Sequence, residues 1–334
     1  MGDLPLPRYR HLCAVPYTSE DSGGYGLVNS EGFPSVSAIV VTFLSGPALK
    51  ECINALCVET EVTEIIVVNN GNKEADNKWL AQFKPPAHCR YEVVGGHGNI
   101  GFAAAVNLGA RHVTGERYLI INPDAVIRVH SLPALEAARQ MGATPCLVGG
   151  KLIYPSGQEQ RGARRDMLTP SRALATFTGL HKFQRIIPQL RNMHKEHEPE
   201  PETPVPMPVV SGALMYISAD DYDRINGFDE GYFLHVEDVD FCRRIAEAGG
   251  QVMYTPFAVA MHYGSTSQVS ATFVEYNKAK GLTRYFHKNA NTAFGRLMAK
   301  ASFYGFAPLL VVRSAIIRSL MQARQALRDL RVKR

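Results

Sequence analysis

Between residues 36 and 124 the apolar and polar positions change period at regular intervals. Val36 to Phe43 (VSAIVVTF) is a nearly unbroken apolar run rich in β-branched residues, the pattern of a strand buried on both faces. Ala48 to Val58 has helical spacing. Glu64 to Val68 (EIIVV) predicts a second strand, closed by the turn signal Asn69-Asn70-Gly71. A short helix over Lys73 to Phe83 follows, then a third strand at Tyr91 to Val94 and the glycine-rich stretch Gly95 to Asn99. Phe102 to Val113 reads as a helix with small residues on one face. Arg117 to Ile121 (RYLII) is a fourth strand, ending at Asn122-Pro123-Asp124. Strands alternating with helices imply an α/β fold, a mainly parallel sheet with right-handed crossovers and flanking helices. Ligands of such sheets sit beyond the carboxyl ends of the strands, where Asn69, Asn70, Gly98, Asn99 and Asp124 fall.

After about residue 155 the rhythm breaks. Residues 157–195 read as helical or irregular, and basic. Glu196 to Pro208 carries five prolines and four glutamates, the composition of a poorly ordered loop. Val209 to Ile217 then predicts a strand, Ala219 to Ile225 a helix, Glu237 to about Ala248 another, and Gln251 to His262 a strand pair. Residues 272–330 read as mostly helical. Four parts are expected: an irregular lead-in over 1–34, a nucleotide-binding half over 35–155, a catalytic and acceptor-binding half over 156–290 with a flexible 196–208 loop, and a basic helical extension over 291–334.

Composition narrows the function classes. With 46% hydrophobic and 20% charged residues the chain is globular. The net charge of +5 is concentrated in residues 291–334, which hold nine Lys/Arg and one Asp; the rest holds 27 basic and 30 acidic residues. A near-neutral body argues against general nucleic-acid binding and leaves one basic surface for anionic lipid. The six cysteines show no CxxC pair or zinc spacing, so free thiols in a reducing cytoplasm are expected. The opening residues have neither basic nor apolar character, so no secretory signal is expected. The uncharged run from Ala301 to Val312 is too short to span a bilayer.

Three groups carry candidate chemistry. Asp124, on a strand end beside Pro123, suits a hard divalent cation facing phosphate, or equally a turn cap. Glu237, Asp238 and Asp240 crowd the first turn of a helix that also holds Arg243 and Arg244. That is an acidic helix start favoured by the dipole, or a site where one carboxylate is anchored by an arginine and another takes a proton from an alcohol. His262 follows a strand, as a structural imidazole, a metal ligand or a phosphate donor.

Taken together, these segments resemble family 2 glycosyltransferases, and within them the rhamnosyltransferase-like enzymes of bacterial cell-surface glycan assembly, lipopolysaccharide O-antigen among them. VVTF (40–43), VVNNGN (67–72), GNIGFAAAVNLGAR (98–111), YLIINPD (118–124), VSGALMYI (210–217), GFDEGYFLHVEDVDFCRR (227–244) and HYGSTS (262–267) stand in family order across roughly 36–290. The resemblance implies a GT-A fold. It implies that Thr42, Phe43, Asn69, Asn70, Asn99, Gly101, Phe102, Asn122, Asp124 and Gly212 line a nucleotide-sugar. Asn69 departs from the family's usual Asp, and Asn122 from the first Asp of its metal motif. Mg²⁺ or Mn²⁺ on Asp124 and His262 is implied, with Asp238 as general base and Glu237 as the alternative. The implied reaction is inverting transfer of a sugar, dTDP-L-rhamnose being the favoured donor, to a glycan or lipid-linked hydroxyl.

Two other classes remain open, a nucleotidyltransferase and a non-catalytic binder of sugar nucleotides or glycans. Arg161, Arg164 and Arg165 are candidates for meeting donor or acceptor phosphates. The tail, where Phe303, Phe306, Leu309, Leu310, Ile316, Ile317 and Leu320 mix with Arg313, Arg318, Arg324 and Arg328, is expected either to lie peripherally on the inner face of the cell membrane or to pack on the body or in a homo-oligomer.

Overall fold

A computed structural model describes residues 32–264, 266–267 and 269–332, and few side chains beyond 316. Cys13, Ser265, the lead-in before residue 32 and the side chains of Ile317, Arg318, Leu320, Arg324 and Arg328 lie outside the described residues. From Pro34 onward the chain forms one compact unit.

The first half follows its hydrophobic rhythm. β1 (Val36–Thr42), α1 (Ala48–Val58), β2 (Val62–Asn69), α2 (Glu74–Gln82), β3 (Arg90–Val94), α3 (Phe102–Ala110) and β4 (Arg117–Ile121) come in the expected order. β3, β2, β1 and β4 lie side by side, all parallel. Every residue of β1 is buried, which explains its unbroken apolar run. α3 lies close on this sheet because Gly109 leaves room: a Cβ there would stand 2.7 Å from Ile39 Cγ2.

The sheet then becomes mixed. β5 (Ala125–Ile127), α4 (Ser131–Met141), β6 (Cys146–Ile153) and the two-residue β7 (Arg164–Arg165) follow, and then α5 (Pro170–Thr178), whose Thr169 side chain caps the Arg172 amide. β8 (Val205–Pro206), β9 (Val209–Val210), β10 (Leu214–Ser218) and α6 (Ala219–Arg224) lead to α7 (Glu237–Glu247) and β11 (Gln251–His262). β10 is antiparallel to both β4 and β6, and β11 runs parallel to β6 with β5 at the far edge. α8 (Ala271–Lys288) and α9 (Ala293–Val332) complete the chain.

Several expected elements take a different form. The strand expected over Val209–Ile217 is split into β9 and β10 by Ser211-Gly212-Ala213, because the Gly212 amide turns to donate to Asp238 instead of a neighbouring strand. The strand pair expected over Gln251–His262 is one strand, with a register shift between Thr255 and Val259. The proline-rich 196–208 segment is tied to the body. Arg164, only 2% exposed, donates to the carbonyls of Lys195, Glu198 and Pro199 and pairs with Glu159, while Val205 and Pro206 form β8 against β11. Arg164 is thus a structural tie, not a residue facing phosphate. In the tail, Phe306 and Leu310 of α9 are buried and Arg313 lies over the Phe177 ring, so this part of the helix packs on the body. Among the described residues no helix is long and apolar enough to cross a membrane. Cys52, Cys57, Cys89, Cys146 and Cys242 are free thiols.

Candidate active site

The carboxyl ends of β1 and β2 carry a network of short polar side chains. Buried Thr42 donates to Ser45 Oγ (2.9 Å), and Phe43 places its ring 3.4 Å from where a Gly71 Cβ would stand. Both ends of the Asn69 amide are engaged: Nδ2 donates to Asn77, and Oδ1 accepts from the Gly71 amide and Asn72 Nδ2. Here Asn69 shapes the turn after β2. Asn70 donates to the Gly101 carbonyl (3.0 Å) and shares a hydrogen bond with His97, while Asn99 Oδ1 accepts the Gly101 amide.

Gly101 is the joint between this region and the acidic helix. Its φ is +87°, and a Cβ would lie 2.6 Å from the Phe233 carbonyl, so the position needs glycine. The next amide, of Phe102, donates to that same carbonyl at 2.9 Å, and the Phe102 ring meets Phe228 edge-on. Three residues after Phe233, the chain enters α7 through His235 and Val236, both left-handed at φ +69° and +74°. Two consecutive non-glycine residues in that region are a strained entry held by their surroundings. α8 supplies part of the hold, since Gly281 lets it approach the His235 carbonyl.

Beyond β4, Asp124 and His262 meet as anticipated. His262 Nε2 is 3.0 Å from Asp124 Oδ1 and 3.3 Å from Asn122 Nδ2; His262 Nδ1 is 2.6 Å from Gln160 Oε1; Thr266 donates to Asp124 Oδ2. Burial works against the charge on Asp124, but the bonds from His262 and Thr266 hold its carboxyl below the usual carboxylate range. Gln160 fixes the ring through Nδ1, so that Nε2 and Asp124 Oδ1 stand 3.0 Å apart, a spacing bridged by a ring proton or by a shared cation. This donor set, one carboxylate and one imidazole, fits Mg²⁺ or Mn²⁺ when phosphate and water complete the shell. Among the described residues no three His, Cys, Asp or Glu converge to hold a metal alone.

Asp238 is linked by two hydrogen bonds to Asn122, whose side chain in turn contacts His262. Asp238 Oδ2 accepts the Gly212 amide (3.2 Å), and the adjacent Ala213 carbonyl accepts the Asn122 amide (3.1 Å). The structure therefore brings Asn122, Asp124, Gly212, Asp238 and His262 together, with Asn70, Asn99, Gly101 and Phe102 joined to α7 through Phe233. Thr42, Phe43 and Asn69 gather around the turn after β2, joined to Asn70 by its amide, which donates to the Thr42 carbonyl (2.9 Å).

The acidic helix start resolves into different roles. Asp240, 1% exposed, is fixed by Arg244, Lys288 and the Tyr232 hydroxyl. Asp238 pairs with Arg165, a partner that local spacing did not disclose because it comes from β7, 73 residues away. Burial would raise its carboxyl, but the Arg165 guanidinium and the Gly212 and Val239 amides hold it below the normal range. Glu237 goes the other way. Burial, reinforced by the Asp238 charge, pushes it well above that range, and its Oε2 is buried without a hydrogen-bond partner. At neutral pH the two neighbours thus differ, Asp238 ionised and Glu237 favouring its proton.

The profile of Glycosyl transferase family 2 matches residues 37–213, and that described as the N-terminal domain of galactosyltransferase matches 193–266. The N-acetylglucosaminyl-diphospho-decaprenol L-rhamnosyltransferase of Mycobacterium tuberculosis is 24% identical over 253 residues, covering 69% of this chain and 76% of the relative. Rhamnosyltransferase WbbL of Escherichia coli is 25% identical, covering 68% and 83%. The crystal structure of GalNAc-T7 with UDP, GalNAc and Mn²⁺ superposes with a TM-score of 0.50 at 14% identity, covering 70% of this chain and 44% of that one, a likeness of fold. Since the family 2 profile takes in more than half of its length, the chain belongs to glycosyl transferase family 2 and is a rhamnosyltransferase-like glycosyltransferase of the GT-A fold.

Proposed function

We propose that the chain transfers a sugar, with inversion, from a nucleoside diphosphate sugar to a hydroxyl of a lipid-linked glycan, with dTDP-L-rhamnose as the favoured donor. The observation that carries this reading is the ionised Asp238, tied through Gly212-Ala213 to Asn122, which itself contacts the His262 of the Asp124–His262 pair. The two rhamnosyltransferase relatives support rhamnose as the donor sugar, and the diphospho-decaprenol in the name of one supports a lipid diphosphate acceptor.

In this reading the segment from Asn99 to Phe102 and the turns after β1 and β2 receive the nucleotide. Asp124 and His262 would hold Mg²⁺ or Mn²⁺, which would neutralise charge on the departing diphosphate. Asp238 Oδ1, whose one hydrogen bond among the described residues comes from the Val239 amide (2.8 Å), keeps a lone pair for the acceptor proton. The acceptor oxygen attacks the anomeric carbon opposite the diphosphate. As the new C–O bond forms, the bond to diphosphate breaks and the nucleoside diphosphate leaves. Glu237, retaining its proton, is unsuited to the same task at neutral pH.

We also assign the exposed apolar side chains of α9 (Leu297, Tyr304, Ile316) and its cations to the inner surface of the cell membrane, where a lipid-linked acceptor resides. Binding of the full chain to anionic vesicles at physiological salt is expected; its absence would count against that location. The test of the main proposal is hydrolysis of a panel of dTDP-, UDP- and GDP-sugars in Mn²⁺. The proposal expects dTDP-rhamnose to be consumed fastest, and turnover of none of them would reject it.

A further inference from the structure

A cavity of 440 Å³ lies between α5, the turn after it and α9. Its walls combine two kinds of side chain. Phe177, Val312 and Ile316 are apolar, the last two more than half exposed while Phe306 and Leu310 of the same helix are buried. Arg161, Lys182 and Arg313 are cationic. Against these three, the carboxylate at ion-pair distance among the described residues is Glu196, 3.6 Å from Arg161. Arg313 has an aromatic face beneath it, the Phe177 ring at 6.0 Å.

The positive field continues toward the proposed base. His194 pairs across the backbone with Arg165 in an isolated bridge and lies within van der Waals reach of Gly162. Its Nδ1 is buried without a partner, as is Arg165 Nε. Burial, then Arg161, Arg165, Arg313 and Lys278, push the imidazole down to about 3. Burial and Arg161 also lower the Arg313 guanidinium. Cations that depress one another in this way mark a place where an anion is favoured.

We propose that this cavity binds the diphosphate and the first isoprene units of a polyisoprenoid-diphosphate acceptor, an inference that rests on the glycosyl-transfer reading above. Arg161 and Arg313 meet the diphosphate oxygens, where charge-assisted hydrogen bonds are strongest. Val312 and Ile316 meet the hydrocarbon. The cavity volume falls in the range of small-ligand sites. The geometry also accounts for reach. Arg161 and Arg165 are four residues apart, a span of at most about 14 Å along extended chain. A sugar joined to the diphosphate extends from the cavity along that segment, bringing its hydroxyl to the Asp238 that Arg165 holds. Neither an apolar tail alone nor a free phosphate uses both kinds of wall.

The test measures binding of farnesyl diphosphate, inorganic pyrophosphate and farnesol to the full chain by calorimetry. Farnesyl diphosphate is expected to bind tighter than either part. The R161Q/R313Q pair should weaken it by roughly 10- to 100-fold, the worth of one or two charge-assisted bonds. Val312→Asn, neutral and at a position already exposed and so tolerated by the fold, should weaken farnesyl diphosphate and leave pyrophosphate unaffected. Melting temperatures near that of the parent show that each variant is folded. Undiminished binding to the double variant, or pyrophosphate binding as tightly as farnesyl diphosphate, overturns the proposal. Hydrolysis of nucleotide sugars by the unaltered chain separates the two claims. If hydrolysis occurs while farnesyl diphosphate fails to bind, this inference alone falls; if hydrolysis is absent, the glycosyl-transfer reading falls.

Discussion

The strands β3-β2-β1-β4 and the layer made by α5, α7, α8 and α9 solve the same problem by different means. In the first region the backbone places the polar groups: parallel strands end on one side, Asn70 and Asn122 follow β2 and β4 directly, and Asn99 lies in the glycine-rich loop after β3. In the second region side chains from distant segments place one another. Asp238 is set by Arg165 from β7, Asp240 by Lys288 from α8, and Asp229 by Arg284 and Lys288 from α8. A carboxylate position determined by topology tolerates changes in its neighbours; one determined by an ion pair across 73 residues depends on a single partner.

The first region is most exposed to loss of what its strand ends hold. EDTA is expected to stop turnover and Mn²⁺ to restore it, because Asp124 and His262 leave a site to be completed by phosphate and water. Full activity in chelator, followed by nucleotide-sugar hydrolysis, would remove the metal from the account. The joint between the regions is the next most sensitive place. Gly101→Ala forces a Cβ against the Phe233 carbonyl at a positive φ, and about 1–3 kcal/mol of stability should be lost. An unchanged midpoint in urea would show that the two regions are not coupled there.

Much of the first region is legible from the amino-acid pattern, for a physical reason. Strands buried on both faces must be apolar throughout, so Val36–Thr42 and Arg117–Ile121 announce themselves. The turns that follow need Asn and Gly. The Asp124–His262 meeting was reachable only through the resemblance, since 138 residues separate the two. Arg165 was grouped with Arg161 and Arg164 on charge alone. Nothing local told the buried tie Arg164 from the ion-pair partner Arg165, because their roles depend on which side of a two-residue strand each lies. The split at Gly212 was hidden for a related reason: its apolar neighbours read as one strand, while its amide is spent on Asp238. The proline-rich segment misled because composition records the polar residues but not the buried arginine that binds their carbonyls.

The smallest effect distinguishes the regions by acid. His194 and His235, half-buried and each pushed down to about 3 by desolvation and neighbouring cations, lie in the second region. A folded-state pKa below the unfolded value of about 6.5 means that the unfolded chain binds the proton first. Their contribution is therefore present above about pH 6.5 and lost as pH falls toward 3, by at most about 1.4 kcal/mol per pH unit for each group. Stability measured from pH 7 to 5 should fall, and His194→Phe should flatten the slope. An identical slope in that variant would show that the imidazole is solvated.

The central claim is that Asp238, and not Glu237, takes the acceptor proton. Turnover of D238N and E237Q with donor and acceptor tests it most directly. D238N keeps the size of the side chain and loses the base, so kcat should fall by about 10²–10⁴-fold while Mn²⁺-dependent donor binding persists. E237Q, replacing a group that already favours its protonated form, should stay within about tenfold of the parent. Near-normal turnover in D238N, or the larger loss in E237Q, would contradict the account.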